Sequence, residues 1–143
     1  MPSDFTLKAM NATHRVILTL SLGRIGRQVG RMPVVELTTI GRRSGQPRTV
    51  FLTSPLRDGN AYVVVASRGG DDHHPAWFLN LRDNPAVEAR IGRGQRLPMR
   101  ARVANQEERT RLWPRIAADY TTYAGYQSRT DREIPLVLLE PTA

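Results

Sequence analysis

Hydrophobic positions along the chain follow two periods, and the switches between them divide it into helical and extended stretches. Leu7, Met10, His14, Ile17 and Leu18 recur near helical spacing behind Ser3 and Asp4, which predicts an amphipathic N-terminal helix. Gly23, Gly26 and Gly30 weaken that helix and Pro33 ends it. From Val34 to Thr39 the β-branched content is that of a strand, and Gly41 to Gln46 reads as a turn. A second apolar run covers Arg48 to Leu56. Asp58-Gly59 is a hairpin signal before the strand Tyr62 to Ala66, so these two runs are expected to pair antiparallel. Ser67 to Gly70 is a loop, and Pro75 suits the first turn of a short helix carrying Trp77, Phe78 and Leu81 that stops near Asn84-Pro85.

Further on, Val87, Ala89 and Ile91 alternate with Glu88 and Arg90 as in a half-exposed strand, Gly92 to Gly94 turns, and Met99 to Val103 continues the sheet. Asn105-Gln106-Glu107-Glu108 opens a helix in the manner of a capping box, with Leu112, Ile116 and Tyr120 as its apolar stripe. The unbroken run Ile134 to Leu139 predicts a strand buried on both faces. The expected fold is α+β: about six mostly antiparallel strands, hairpin-connected and closing toward a barrel, with flanking helices. Residues 1–33 form an N-terminal helical segment in this reading and residues 34–143 the barrel domain.

Composition narrows the chemistry. A chain of 143 residues, 40% hydrophobic, is the size of one domain with its own core. It has no cysteine, which excludes disulfides, a thiol nucleophile and iron–sulfur or thiolate metal sites, and fits a cytoplasmic protein. Val16 to Leu22 is too short and too interrupted to span a membrane, and the N-terminus lacks the layout of a secretory signal. The formal charge of +8 points to an anionic partner: nucleic acid, a membrane surface, or a cofactor bearing phosphate or carboxylate. Lys8 is the only lysine, so the positive charge is almost wholly arginine, whose planar fork suits phosphate and carboxylate; a GC-rich coding bias produces the same enrichment.

The densest candidate is Thr38 to Arg48, where Gly41 and Gly45 bracket Arg42, Arg43 and Ser44. Backbone N–H groups beside guanidinium forks and a hydroxyl can hold phosphate or carboxylate oxygens, although an ordinary basic hairpin turn has the same composition. Ser67-Arg68-Gly69-Gly70 is a second basic loop that can converge on the same ligand. Trp77 follows it and can wall a planar ring, or serve as core. His73 and His74 are adjacent and lack partners at ligand spacing, so no metal site is expected. Tyr120, Tyr123 and Tyr126 cluster on one side of a helix-like segment, where their phenols can donate hydrogen bonds or a proton, or can cap the core. Arg129, Arg132 and Glu133 read as a solvated or salt-bridged surface.

Taken in order, Gly41-Arg42-Arg43-Ser44-Gly45-Gln46-Pro47-Arg48, Ala66 to Gly70, Pro75 to Leu81, Asn84-Pro85 and Tyr126-Gln127 through Arg132-Glu133-Ile134-Pro135 resemble the deazaflavin (F420)-dependent nitroreductase family, over roughly Val35 to Pro141. The resemblance implies a split β-barrel related to FMN-binding oxidases, and coenzyme F420 as cofactor. It implies that Arg42, Arg43, Ser44 and Arg48 hold the phosphate and oligoglutamate tail. Leu52, Thr53, Val65, Ala66, Ser67, Arg68, Ala76, Trp77, Phe78 and Asn80 would then line the path of the deazaflavin ring. Tyr120, Tyr123 and Tyr126 match the family's aromatic positions over the substrate. Two departures stand out: Arg43 and Arg68 occupy positions where the family commonly has lysine, and Thr121 stands where a proline usually separates the tyrosines.

The implied reaction is hydride transfer from the reduced deazaflavin to a quinone, nitroaromatic or other conjugated electrophile, with the proton coming from Tyr123, Ser67 or water. The alternatives are an FMN-dependent split-barrel reductase, a basic nucleic-acid-binding module and a non-catalytic F420 carrier. The expected partner is a small-molecule electrophile and not nucleic acid. Peripheral membrane contact through the N-terminal helix and a homodimer are left open.

Overall fold

The computed structural model describes residues 28, 29 and 32–142. The predicted N-terminal helix lies outside these residues, apart from its last turn, where Gln28–Val29 form a short strand, β1, paired with Met32 and Pro33. The strands that follow are β2 (Met32–Ile40), β3 (Pro47–Thr53), β4 (Leu56–Asp58) and β5 (Ala61–Val65). A single 3-10 turn at Arg68–Gly70 precedes helix α1 (Ala76–Asp83), and then come β6 (Ala86–Ile91) and β7 (Arg96–Val103). Helices α2 (Gln106–Asp119) and α3 (Thr121–Ser128) lead into the last strand, β8 (Leu136–Pro141).

Every pairing is antiparallel, and the sheet runs β3-β2-β6-β7-β8-β5-β4. Strands β3 and β4 are neighbours in sequence yet stand at opposite edges. This corrects the expectation that Arg48 to Leu56 is one strand paired with Tyr62 to Ala66: only its end, β4, pairs with β5, while β3 pairs with β2. The break falls at Ser54-Pro55. The Ser54 N–H donates to the Pro33 carbonyl (3.1 Å), and its buried hydroxyl donates to the Val63 carbonyl (2.8 Å), with the Leu56 carbonyl also in range at 3.1 Å. One residue thereby ties β2 to β5 where the chain crosses from one edge of the sheet to the other, and the sheet curls into a half-barrel.

Two apolar clusters fill the two faces. Inside the curl, Val35, Leu37, Val64, Ala89, Ala101, Val137 and Leu139 surround Trp77, Phe78 and Leu81 of α1, which plugs one end. Outside, Leu112 and Ile116 of α2 cover Ala61, Val63, Val65, Leu136 and Leu138. Strands β5 and β8 are therefore buried on both faces, as their unbroken apolar runs predict, although β8 starts at Leu136 rather than Ile134. Each fully buried Leu or Ile contributes about 1.5–3 kcal/mol of transfer free energy. Helix α2 begins with a complete capping box: Asn105 Oδ1 accepts the Glu108 N–H (2.8 Å), and the Glu108 carboxylate accepts the Asn105 N–H (3.0 Å). Among the described residues no helix is long and apolar enough to cross a membrane.

Candidate functional site

The β2–β3 turn is tightly made. Gly41 N–H donates to the Gln46 carbonyl (2.9 Å), Gly45 N–H to the Gly41 carbonyl (2.9 Å), and Gln46 N–H to the Ser44 hydroxyl (3.1 Å). Gly45 supplies the left-handed residue, at φ 69°. Arg42, Arg43, Ser44 and Arg48 are exposed around this turn, and among the described residues none of the three arginines has a carboxylate partner. The turn is pinned to α1 by Asn80, which is buried. Its Oδ1 accepts the Arg42 N–H (3.1 Å) and lies 3.5 Å from the Arg42 guanidinium, while its Nδ2 donates to the Thr39 hydroxyl (3.2 Å). A hollow of about 250 Å³ bounded by Arg42, Leu79, Arg82 and Asp83 opens beside it.

The second loop, Ala66 to Asp71, leaves the end of β5 through successive left-handed residues: Arg68 at φ 47°, Gly69 at 65° and Gly70 at 82°. Gly70 is required by packing as well, because a Cβ there would stand 2.6 Å from the Tyr126 carbonyl oxygen. The loop thus rests directly on α3. Arg68 also lies 3.7 Å from the buried Asp71 carboxylate.

Along α3 the tyrosine rings form an edge-to-face ladder, with Tyr120 and Tyr123 centroids 6.5 Å apart and Tyr123 and Tyr126 6.2 Å apart. The Tyr123 phenol is 3.3 Å from the Thr53 hydroxyl on β3 and 3.7 Å from Met32 Sδ. Burial pushes its pKa up from the ordinary 10; the neighbouring tyrosines add to this and the Thr53 hydrogen bond opposes it. The phenol is therefore neutral at physiological pH and available as a donor.

Several of the expected residues are brought together: Arg42 with Asn80, Thr53 with Tyr123, and the Ser67-Arg68 loop with Tyr126. Leu52 is half-buried beside Thr53, and Ala76 is exposed at the start of α1. Val65, Ala66, Trp77 and Phe78 are 8, 0, 8 and 3% exposed, so their side chains belong to the packed core and back the site rather than face it. A groove of about 380 Å³ between Tyr62, Ile91, Leu97, Met99 and Pro141 contains none of the expected residues. Among the described residues no group of three or more His, Cys, Asp or Glu side chains could hold a metal.

Arg132 overturns its reading as solvated or salt-bridged surface. Its guanidinium turns inward onto the carbonyls of Ala66, Ser67 and Asp71. Burial lowers its pKa, opposed by Asp71 and Asp72. His74 packs against Phe78 with centroids 4.7 Å apart and the rings tilted by 43°, and it meets Arg132 through Nδ1.

A family model described as F420H(2)-dependent quinone reductase matches residues 11–141. The chain belongs to the F420H(2)-dependent quinone reductase family. It is 41% identical over 130 residues to an F420H(2)-dependent quinone reductase of Mycobacterium tuberculosis, covering 88% of this chain and 86% of that protein. Among solved structures, an F420-H2 dependent reductase, FDR-A, is 41% identical with a TM-score of 0.66, covering 76% of this chain and 94% of its own. A domain-swapped dimer is 37% identical with a TM-score of 0.67, covering 90% and 96%. A Listeria innocua protein named for pyridoxamine 5′-phosphate oxidase, 15% identical with a TM-score of 0.53, covers 94% of each chain and shares the fold alone.

The family member is thus a split-barrel, F420H2-dependent oxidoreductase whose cofactor is coenzyme F420. The donor set fits an anionic coenzyme. Three guanidinium groups without a carboxylate partner among the described residues, and a hydroxyl, surround one tight turn.

Proposed function

We propose that this F420H2-dependent oxidoreductase reduces a quinone, holding the coenzyme's phosphate and glutamates on Arg42, Arg43, Ser44 and Arg48. Its ring would lie between Leu52-Thr53 and Ser67-Arg68, close to the start of α1. The observation that carries this reading is that strand β3 links two features along its length: an arginine turn with no carboxylate partner among the described residues at its Pro47 end, and a half-buried, neutral tyrosine phenol at its Thr53 end. Names of the family and of the 41%-identical relative support quinone as the acceptor class.

The bound coenzyme supplies a hydride equivalent from its deazaflavin ring. The chain's own residues then have three tasks. The arginine turn fixes the anionic end, and Asn80 holds that turn against α1 so that little ordering remains for the moment of binding. The tyrosine ladder provides flat apolar surface for a planar acceptor and excludes water from it. Tyr123 donates through its phenol to the acceptor oxygen, which must gain a proton as the quinone becomes a hydroquinone.

Fluorescence titration with F420, run beside FMN at the same salt and followed by turnover of F420H2 with a soluble naphthoquinone, tests this reading. Binding of F420 and not FMN, with quinone-dependent oxidation, is the expected result. Preference for FMN, or binding without turnover, sinks it. Homodimerisation belongs to the same proposal on the strength of the domain-swapped neighbour, and sedimentation velocity checks it. Membrane contact through residues 1–33 rests on sequence and net charge alone, and cosedimentation with anionic vesicles checks it.

A further inference from the structure

Arg132 spends nearly all of its donor fork on one stretch of main chain, and the remainder on His74. Its Nε donates to the Asp71 carbonyl (2.7 Å), Nη2 to those of Ser67 (2.8 Å) and Ala66 (3.3 Å), and Nη1 to Ala66 (3.3 Å) and to His74 Nδ1 (3.3 Å). The carbonyls bracket the three left-handed residues Arg68, Gly69 and Gly70. A non-glycine residue in that conformation costs about 1–3 kcal/mol and persists only where its surroundings impose it. Arg132 is that surrounding on one side, and the Tyr126 carbonyl packed against Gly70 is the other.

Arg132 is itself tied to the tyrosine helix. Its carbonyl accepts from Gln127 Nε2 (2.8 Å), and its N–H donates to the Thr130 hydroxyl (3.2 Å). Gln127 Oε1 in turn accepts from the Ile134 N–H (2.9 Å) and Arg109 Nη2 (3.2 Å), which locks the amide in one orientation. A continuous path of hydrogen bonds therefore joins α3, which carries the tyrosines, to the loop that carries Ser67 and Arg68.

We propose that Arg132 is a positioning residue for the reaction, setting the Ser67-Arg68 loop at a fixed height against the tyrosine helix so that the coenzyme and substrate walls stay in register. The proposal rests on the placement of the coenzyme against Ser67-Arg68 given above. A guanidinium's planar fork of five donors can reach carbonyls spread along the loop; an ammonium offers three donors from a single point and cannot match that spread.

The test compares Arg132→Ala, Arg132→Lys and, as a reporter of coenzyme placement, Arg68→Ala in the full chain, each by F420 titration, steady-state quinone reduction and thermal melting. Arg132→Ala is expected to weaken F420 binding and lower kcat by about tenfold each, the worth of lost hydrogen bonds to a charged group. Arg132→Lys should fall between it and the parent, and guanidinium ion at sub-denaturing concentration should restore part of the turnover of Arg132→Ala. Parent-like constants in Arg132→Ala beside an impaired Arg68→Ala overturn the proposal and leave the placement standing. Equal impairment of both Arg132 variants without guanidinium rescue makes the residue merely structural and also overturns it. If both Arg68→Ala and Arg132→Ala behave as the parent, the placement itself has failed. Should Arg132→Ala not fold, Arg132→Lys decides: parent-like constants overturn the proposal, and a lowered kcat at an unchanged melting temperature supports it.

Discussion

Asn80 Oδ1 accepts the main-chain N–H of Arg42 at 3.1 Å from across the barrel mouth, so a buried helix side chain fixes the shape of an exposed turn. Its amide also donates to Thr39 at 3.2 Å, and both ends of the carboxamide are thus used. Asn80→Ala would leave the Thr39 hydroxyl short of a partner inside the core. The expected cost is about 1–3 kcal/mol of stability, together with a weaker hold on F420 because Arg42 loses its orientation. Chemical denaturation and F420 titration check the two effects separately, and an unchanged affinity would remove Asn80 from the binding machinery.

Arg43 and Arg48 test the anionic end of the coenzyme. Neither makes an ion pair among the described residues, so Arg43→Ala/Arg48→Ala should leave the stability within about 0.5 kcal/mol of the parent's. F420 affinity at low salt should drop, and its dependence on ionic strength should flatten, since two of the charges that salt screens are gone. Retention of the parent's salt slope in the double variant would place the tail elsewhere.

Gly70 gives a steric test of the contact between loop and helix. Alanine there must adopt φ 82° and bring a methyl to 2.6 Å from the Tyr126 carbonyl, so the loop has to lift from α3. Gly70→Ala should lose about 1–3 kcal/mol and should impair turnover. Gly59→Ala, in the β4–β5 hairpin away from the arginine turn, is the control: its φ is also left-handed, at 60°, but nothing stands within 4 Å of the added Cβ, so only the backbone cost remains. If the two variants lose the same stability and activity, the loop does not bear on the helix.

Local signals were readable from sequence because their causes are local. The capping box at Asn105 and Glu108, the Gly41 to Gln46 turn and the Pro75 start of α1 each depend on residues within one turn of each other. The Arg48 to Leu56 run misled because its apolar content continues through Ser54-Pro55 while the chain changes sheet edge there. That change is held by a hydroxyl bonded to Val63, and a β-pattern carries no sign of it. Arg132 was misread for a similar reason. Its partners are main-chain carbonyls more than sixty residues earlier, and carbonyls have no sequence signature. The arginine turn and the tyrosine spacing were visible as candidates, but their relation through Thr53 and Asn80 is a product of the fold.

Tyr123 separates binding from chemistry. Its phenol touches Thr53 and Met32, and burial keeps it protonated. Tyr123→Phe retains the ring and the ladder, so F420 affinity should hold and stability should change by no more than about 1 kcal/mol. Quinone turnover should fall by about a hundredfold if the phenol donates to the acceptor oxygen. Parent-like kcat would assign the proton to Ser67 or to water.

His74 sets the pH response of the loop. An arginine can only donate, so the contact with Arg132 requires an unprotonated Nδ1 and places the imidazole hydrogen on Nε2. Burial lowers the pKa of His74 below its ordinary 6.5, with Arg132 and then Arg82 adding to the effect. The folded chain therefore binds this proton more weakly than the unfolded chain. The resulting stability is present above pH 6.5 and is lost as pH falls through the lower folded value. Protonation also sets an imidazolium against the guanidinium that holds the Ser67 carbonyl, so coenzyme affinity should weaken over the same interval. Melting and F420 titration followed downward from about pH 7.5 should show both of the parent's declines set in below 6.5, and His74→Gln, which keeps an acceptor without a titrating group, should flatten both. If His74→Gln declines as steeply as the parent, a different group governs this range and the histidine is only packing for Phe78.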